Sequence, residues 1–162
     1  MESITYQPQN KEYFSKLISF SKELFEICKK LNIKPIAYGS LPYAFYTKDK
    51  TINISDIDLL VPESSFVNLI NKIKEDKKLR YEETDYHSLK VFKDEVKITF
   101  DAIEEYYKNL PNDFIDVKIN TVSFAIVSLK SLKEIYKRGK KNIPIKREQY
   151  SMKLEKLNSV VD

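Results

Sequence analysis

Asp56 and Asp58 stand on either side of Ile57 in the run DIDLLV. In a strand, residues two apart share a face, so both carboxylates leave one side and Ile57 leaves the other. Side by side, the two charges repel, and the apolar LLVP that follows limits the water that can screen them. A third carboxylate, Asp101, lies in the apolar run VKITFDAI. If its strand neighbours the first, three carboxylates converge on one face. Such a set suits a hard cation, Mg²⁺ or Mn²⁺, and the chemistry it supports best is phosphoryl or nucleotidyl transfer. Gly39-Ser40 supplies the complementary half: a glycine lets a phosphate approach the backbone, and Ser40, with free N–H groups at the start of a helix, offers donors to its oxygens.

The remaining composition narrows the chemistry. The chain has 162 residues with one Cys, Cys28, and one His, His87. An internal disulfide is excluded, as are zinc sites built from several His or Cys ligands, so any metal is expected on carboxylates. Only Gly39 and Gly139 are glycines, which leaves no room for a Walker A loop or a GxGxxG fingerprint. No apolar run has the length of a membrane span and the N-terminus has no signal-peptide pattern, so a cytoplasmic location is expected, with no membrane partner.

The elements that position these residues follow from periodicity. Residues 10–31 place Phe14, Leu17, Ile18, Leu24, Ile27 and Leu31 at helical spacing. Pro35 introduces a short strand ending at Gly39, and Ser40 is expected to cap a helix through LPYAFY. DIDLLV reads as a buried strand stopped by Pro62, followed by a helix carrying Phe66, Leu69, Ile70 and Ile73. Residues 79–103 alternate with period two and predict two or three strands; residues 112–129 add one or two more. Two basic amphipathic helices complete the chain. The expectation is one α+β (mixed α/β) domain over 1–162, with an N-terminal helix at 10–31, a core at about 33–127 and C-terminal helices at about 129–160.

YGSLPYAFYTKDKTINISDIDLLV, followed by ITFDAI, resembles the DNA polymerase beta-like nucleotidyltransferase superfamily, and within it the small antibiotic (lincosamide-type) and minimal nucleotidyltransferases. The resemblance covers about residues 33–103, with a looser likeness in the C-terminal helices. It implies a twisted mixed sheet flanked by helices. Gly39 and Ser40 would bind nucleotide phosphates, Asp56 and Asp58 would hold the metals, and Asp101 would complete the catalytic site and assist deprotonation of the acceptor. The substrate implied is a nucleoside triphosphate, ATP before others, with AMP moved to a hydroxyl on a small molecule or on a protein, as in antitoxin-type adenylyltransferases. Related small enzymes often carry a Lys/Arg-Asp-x-x-Asp run in the last helix, where this chain has Arg147-Glu148 and then Ser151.

The net charge of +4 divides unevenly. Residues 1–129 hold 18 Lys/Arg against 20 Asp/Glu, net −2, and residues 130–162 hold 10 against 4, net +6. Within the basic end, Lys137 and Arg138 are candidate phosphate or substrate contacts, beside Lys140 and Lys141; His87 and Lys90 are further candidates. Tyr43, Tyr46, Tyr81, Tyr86, Tyr106 and Tyr107 are available for stacking. With so short a chain, a second copy in a homodimer is expected to help form an acceptor pocket. The competing reading is a catalytically silent protein of this fold that binds a protein or RNA partner through its basic C-terminal helices, although no aromatic-interleaved basic stretch supports a nucleic-acid partner.

Overall fold

The computed structural model describes residues 1–106 and 113–160. Among them, eight strands form one mixed sheet in the order β1-β7-β8-β2-β3-β6-β5-β4. The strands are β1 (Glu2–Ile4), β2 (Ile36–Tyr38), β3 (Ile57–Val61), β4 (Leu79–Thr84), β5 (Ser88–Lys93), β6 (Val96–Ala102), β7 (Phe114–Ile119) and β8 (Val122–Val127). The helices are α1 (Lys11–Lys30), α2 (Ser40–Thr47), α3 (Phe66–Ile73), α4 (Ile103–Tyr106), α5 (Leu129–Asn142) and α6 (Arg147–Asn158). The mixed sheet with flanking helices is the architecture expected from the sequence.

Alternation along the strands splits the core in two. Ala37, Leu59, Val61, Ile98 and Phe100 belong to the cluster that includes Phe14, Leu17 and Leu24 of α1 and Leu69 of α3. Ile36, Leu60 and Val127 belong to a second cluster with Leu132, Ile135 and Tyr136 of α5 and Leu154 and Leu157 of α6. Both sheet faces are thus covered, which accounts for the near-continuous apolar run of β3.

Several local details depart from the sequence reading. Strand β1, which no periodicity marks, pairs in parallel with β7, Glu2 opposite Val117. Ser40 is the first residue of α2 instead of its cap; Gly39 occupies the cap position at φ 79°, ψ −138°, without a side-chain cap. That backbone geometry is open to glycine alone. The run 79–103 resolves into three antiparallel strands, with Lys93 opposite Val96 across the turn at Asp94. Tyr106 ends α4, and Tyr107 lies outside the described residues. No helix among the described residues is long and apolar enough to cross a membrane.

Candidate active site

Sheet register decides which side chains meet. Strand β3 pairs with β6 in parallel, Leu60 opposite Asp101 and Asp58 opposite Thr99. Asp58 and Leu60 share a face, so Asp101 leaves the sheet on the same side as Asp58. Antiparallel pairing of β2 with β3 sets Tyr38 opposite Asp58, and pairing of β5 with β6 sets Ser88 opposite Asp101. Asp56 precedes the first residue of β3 on that face, where its carboxylate lies 3.5 Å from Lys97 Nζ. The three carboxylates named from the sequence therefore do share one face.

Their environments differ. Asp58 is mostly buried, and this desolvation, reinforced by the charges of Asp56 and Asp101, pushes its carboxyl up to about 7; Lys97 and Lys146 pull the other way. Burial also pushes the Asp101 carboxyl upward, opposed by two hydroxyl donors. The Tyr38 hydroxyl donates to Asp101 Oδ2 and the Ser88 hydroxyl to Oδ1, so both oxygens are held. Gly39 packs against Asp58: a Cβ there would lie 3.2 Å from its Oδ2. The backbone angles thus require the glycine, and the carboxylate beside it leaves little room for a side chain.

A cleft of about 780 Å³ opens over this face. Its sheet side carries Tyr38, Gly39, Ser40, Asp56 and Asp58, and its far wall is helical, with Arg138 from α5 and Lys146, Tyr150 and Lys153 from the segment entering and forming α6. Lys153 is largely buried, which lowers its pKa, and its Nζ lies 5.5 Å and 5.3 Å from the ring centroids of Tyr43 and Tyr136. The buried Tyr136 hydroxyl has no hydrogen-bond partner among the described residues. Gly139 of α5 makes the wall possible, because a Cβ there would stand 2.8 Å from the Tyr150 ring. Lys156 Nζ, 3.0 Å from Asp49 Oδ2, ties α6 to the segment after α2.

The structure separates the basic candidates. Arg138 lines the cleft, whereas Lys137 is not among its lining residues. Adjacent helical residues are turned by about 100°, and here it is Arg138 that falls on the cleft side. Lys90, opposite Thr99, shares the carboxylate face and its charge favours ionised Asp101, but it does not line the cleft. His87 lies outside the cleft lining too, in the turn before β5 at φ 59°. Tyr43 is buried against Tyr136, Tyr46 donates to the Val127 carbonyl at 2.7 Å, and Tyr81 and Tyr86 are exposed away from the cleft lining.

Sequence reasoning missed Lys146, Tyr150, Lys153, Tyr38 and Ser88. The first three recur at i, i+4 and i+7, one helical face, and that spacing was their only signal. Despite lacking the Lys/Arg-Asp-x-x-Asp run, the last helix supplies much of the cleft wall.

No family model matches the chain, and no curated protein matches it. Solved structures do. The aminoglycoside enzyme ANT(2'')-Ia, in complex with adenylyl-2''-tobramycin, superposes with a TM-score of 0.61 over 86% of each chain at 13% identity. The candidate nucleotidyltransferase TM1012 from Thermotoga maritima gives 0.59 over 88% of this chain and 92% of its own at 16% identity. The lincomycin-bound lincosamide adenylyltransferase LnuA gives 0.59 over 89% and 96% at 11% identity. These likenesses, reached without detectable sequence similarity, show that the chain has the nucleotidyltransferase fold.

Proposed function

We propose that the protein is a nucleotidyltransferase that moves a nucleoside monophosphate, AMP from ATP, to a hydroxyl group on a small molecule or a protein. The observation that carries this reading is the division of the cleft: Asp56 and Asp58 on one side and Arg138, Lys146 and Lys153 on the other, with Asp101 on the same sheet face as the two aspartates but outside the cleft lining. A metal–triphosphate complex has that same division of charge. A polyanion alone would be repelled by the carboxylates, and a cation alone would leave the basic wall unused.

The donor set fits a divalent hard cation. The upward shift of buried Asp58, caused partly by two neighbouring carboxylates, marks a place where added positive charge is favourable. Asp56 and Asp58 would hold Mg²⁺ or Mn²⁺, with Asp101 completing the set. Such an ion, when bound, neutralises phosphate charge and lowers the pKa of a hydroxyl. Gly39 and the first N–H groups of α2 would cradle phosphate oxygens, and Lys153 and Arg138 would neutralise the departing end. In the reaction the acceptor oxygen forms a bond to the α-phosphorus, the bond from that phosphorus to the β-phosphate bridging oxygen breaks, and pyrophosphate leaves. Asp101, oriented by Tyr38 and Ser88, takes up the acceptor proton. The tobramycin and lincosamide chemistry of the two antibiotic enzymes supports a small hydroxyl-bearing acceptor as the first class to examine.

The test uses triphosphates labelled at the α-phosphate, Mg²⁺ or Mn²⁺, a panel of hydroxyl-bearing small molecules, and cell lysate for protein acceptors. Transfer of label with release of pyrophosphate is expected. In Asp56→Asn it should fall at least ~10³-fold, the equivalent of roughly 4 kcal/mol of transition-state stabilisation. Absence of transfer with every triphosphate, together with ATP binding indifferent to Mg²⁺, would refute the reading; salt-sensitive RNA binding in its place would favour the silent alternative.

A further inference from the structure

At the edge of the carboxylate cleft, which Glu105 lines and His87 does not, the only histidine of the chain stands between two glutamates. Pro62 stops β3 and Glu63 follows it; His87 occupies the left-handed turn between β4 and β5; Glu105 lies in α4 just after β6. Because β3, β6 and β5 are adjacent in the sheet, the three residues arrive together from distant parts of the sequence. Backbone contacts fix the arrangement: the His87 carbonyl accepts the Ala102 N–H at 3.0 Å, and the Glu63 N–H donates to the Glu104 carboxylate at 2.9 Å. One ligand atom from each of Glu63, His87 and Glu105 lies within 4.8 Å of the others.

The two ring nitrogens have different neighbours. Nδ1 lies 2.5 Å from Glu63 Oε1, and Nε2 lies 3.8 Å from Glu105 Oε1. With Nδ1–H donated to Glu63, the neutral ring turns the lone pair of Nε2 toward a carboxylate. Two electron-rich atoms then stand 3.8 Å apart, a separation that a proton or a cation between them relieves. Donors at about 2.0–2.2 Å from a tetrahedral ion stand roughly 3.3–3.5 Å apart, so a small rotation of these half-exposed side chains closes the gap. A carboxylate that fixes the tautomer of a metal-bound histidine is a recurring feature of metal sites.

We propose that Glu63, His87 and Glu105 form a binding site for a divalent transition-metal ion of the zinc class, with His87 Nε2 and Glu105 as ligands and Glu63 holding Nδ1–H. The nitrogen donor separates it from the all-oxygen set of Asp56, Asp58 and Asp101, favouring Zn²⁺ over Mg²⁺. It also amends the sequence expectation that any metal must rest on carboxylates alone. An ion here clasps the ends of β3, β5 and β6, and with them the turn that leads into Ser88. The inference does not depend on the catalytic reading.

Because His87 is the sole histidine, its ring nitrogens give unambiguous signals in a long-range ¹H–¹⁵N spectrum. The experiment uses the full chain carrying Asp56→Asn and Asp58→Asn, which removes the carboxylate pair as a competing site, at mildly alkaline pH. Stoichiometric Zn²⁺ should shift Nε2 strongly, leave Nδ1 protonated and raise the melting temperature; Mg²⁺ should do neither. In the same background, Glu105→Gln and Glu63→Gln should each weaken Zn²⁺ binding by about 10-fold or more, read by competition with a chromogenic chelator. Imidazole signals unmoved by Zn²⁺ would overturn the proposal and leave an ordinary ion pair, as would zinc affinity that survives both glutamate substitutions.

Discussion

Replacing Asp58 by Asn should make the metal-free protein more stable, not less. The Asp58 carboxyl is held at about 7 in the folded chain against 3.8 for the free side chain, mainly by burial and then by the charges of Asp56 and Asp101. Between these two values the folded state binds more protons than the unfolded state, so stability falls as pH rises through the window from about 4 to about 7. Three units at about 1.4 kcal/mol each set the cost of the ionised carboxylate at neutral pH near 4 kcal/mol as an upper bound. Asn keeps the shape and discards the charge. In EDTA at neutral pH, Asp58→Asn should gain about 2–4 kcal/mol, or roughly 5–12 °C in melting temperature, and the gain should vanish near pH 4. Mg²⁺ should raise the melting temperature of the parent protein and leave that of the variant nearly unchanged. Denaturant unfolding across the pH series provides the measurement. A variant equally or less stable at neutral pH, or a parent protein whose stability rises through that window by the Asp58 increment, would refute the electrostatic reasoning.

Four other single substitutions probe the wall and the third carboxylate. Gly139→Ala gains up to about 1 kcal/mol of helix propensity but drives a methyl into Tyr150, so it should destabilise by roughly 1–3 kcal/mol; paired with Tyr150→Ala, the two effects should be clearly non-additive in urea unfolding. Lys153→Met keeps the aliphatic stem between Tyr43 and Tyr136 while removing the charge, so KM for the triphosphate should rise about 10- to 100-fold with the melting temperature unchanged or higher. Tyr38→Phe and Ser88→Ala each remove one donor from Asp101 and should lower kcat by about 5- to 50-fold, with little change in KM, in steady-state assays.

The carboxylate face was legible because period-two alternation is a strong constraint: once Asp58 and Asp101 sat in apolar strands, with Asp56 two residues before Asp58, one pairing sufficed to bring them together. Gly39 was legible for a related reason, as a residue without Cβ at a strand-to-helix junction. The helical wall was not. Lys146, Tyr150 and Lys153 repeat at the spacing of any solvated helix face, and nothing local distinguishes a lysine facing a cleft from one facing water. Lys137 and Arg138 show the same limit in reverse, since neighbours in a basic run point in different directions. Strand β1 is only three residues long, and its pairing with β7 is a tertiary fact without a periodic trace. His87 was visible as a candidate, but its partners Glu63 and Glu105 are joined to it only by the sheet order.

The parallel pairing of β3 with β6 also bears on how the chain reaches its folded state. Leu60 and Asp101 meet although 41 positions separate them, and the next parallel pair, Ile36 with Ala125, spans 89. Neither contact can form from a hairpin, so closing them costs chain entropy before packing rewards it, and such topologies fold slowly. During synthesis the Gly39 turn and the Asp56/Asp58 strand leave the ribosome well before β6, β8 and the last helix that complete the cleft. Ligand binding should therefore emerge in refolding experiments as one of the last observables, after most of the helical signal has returned, and the acidic strand should spend that interval without its basic counterpart.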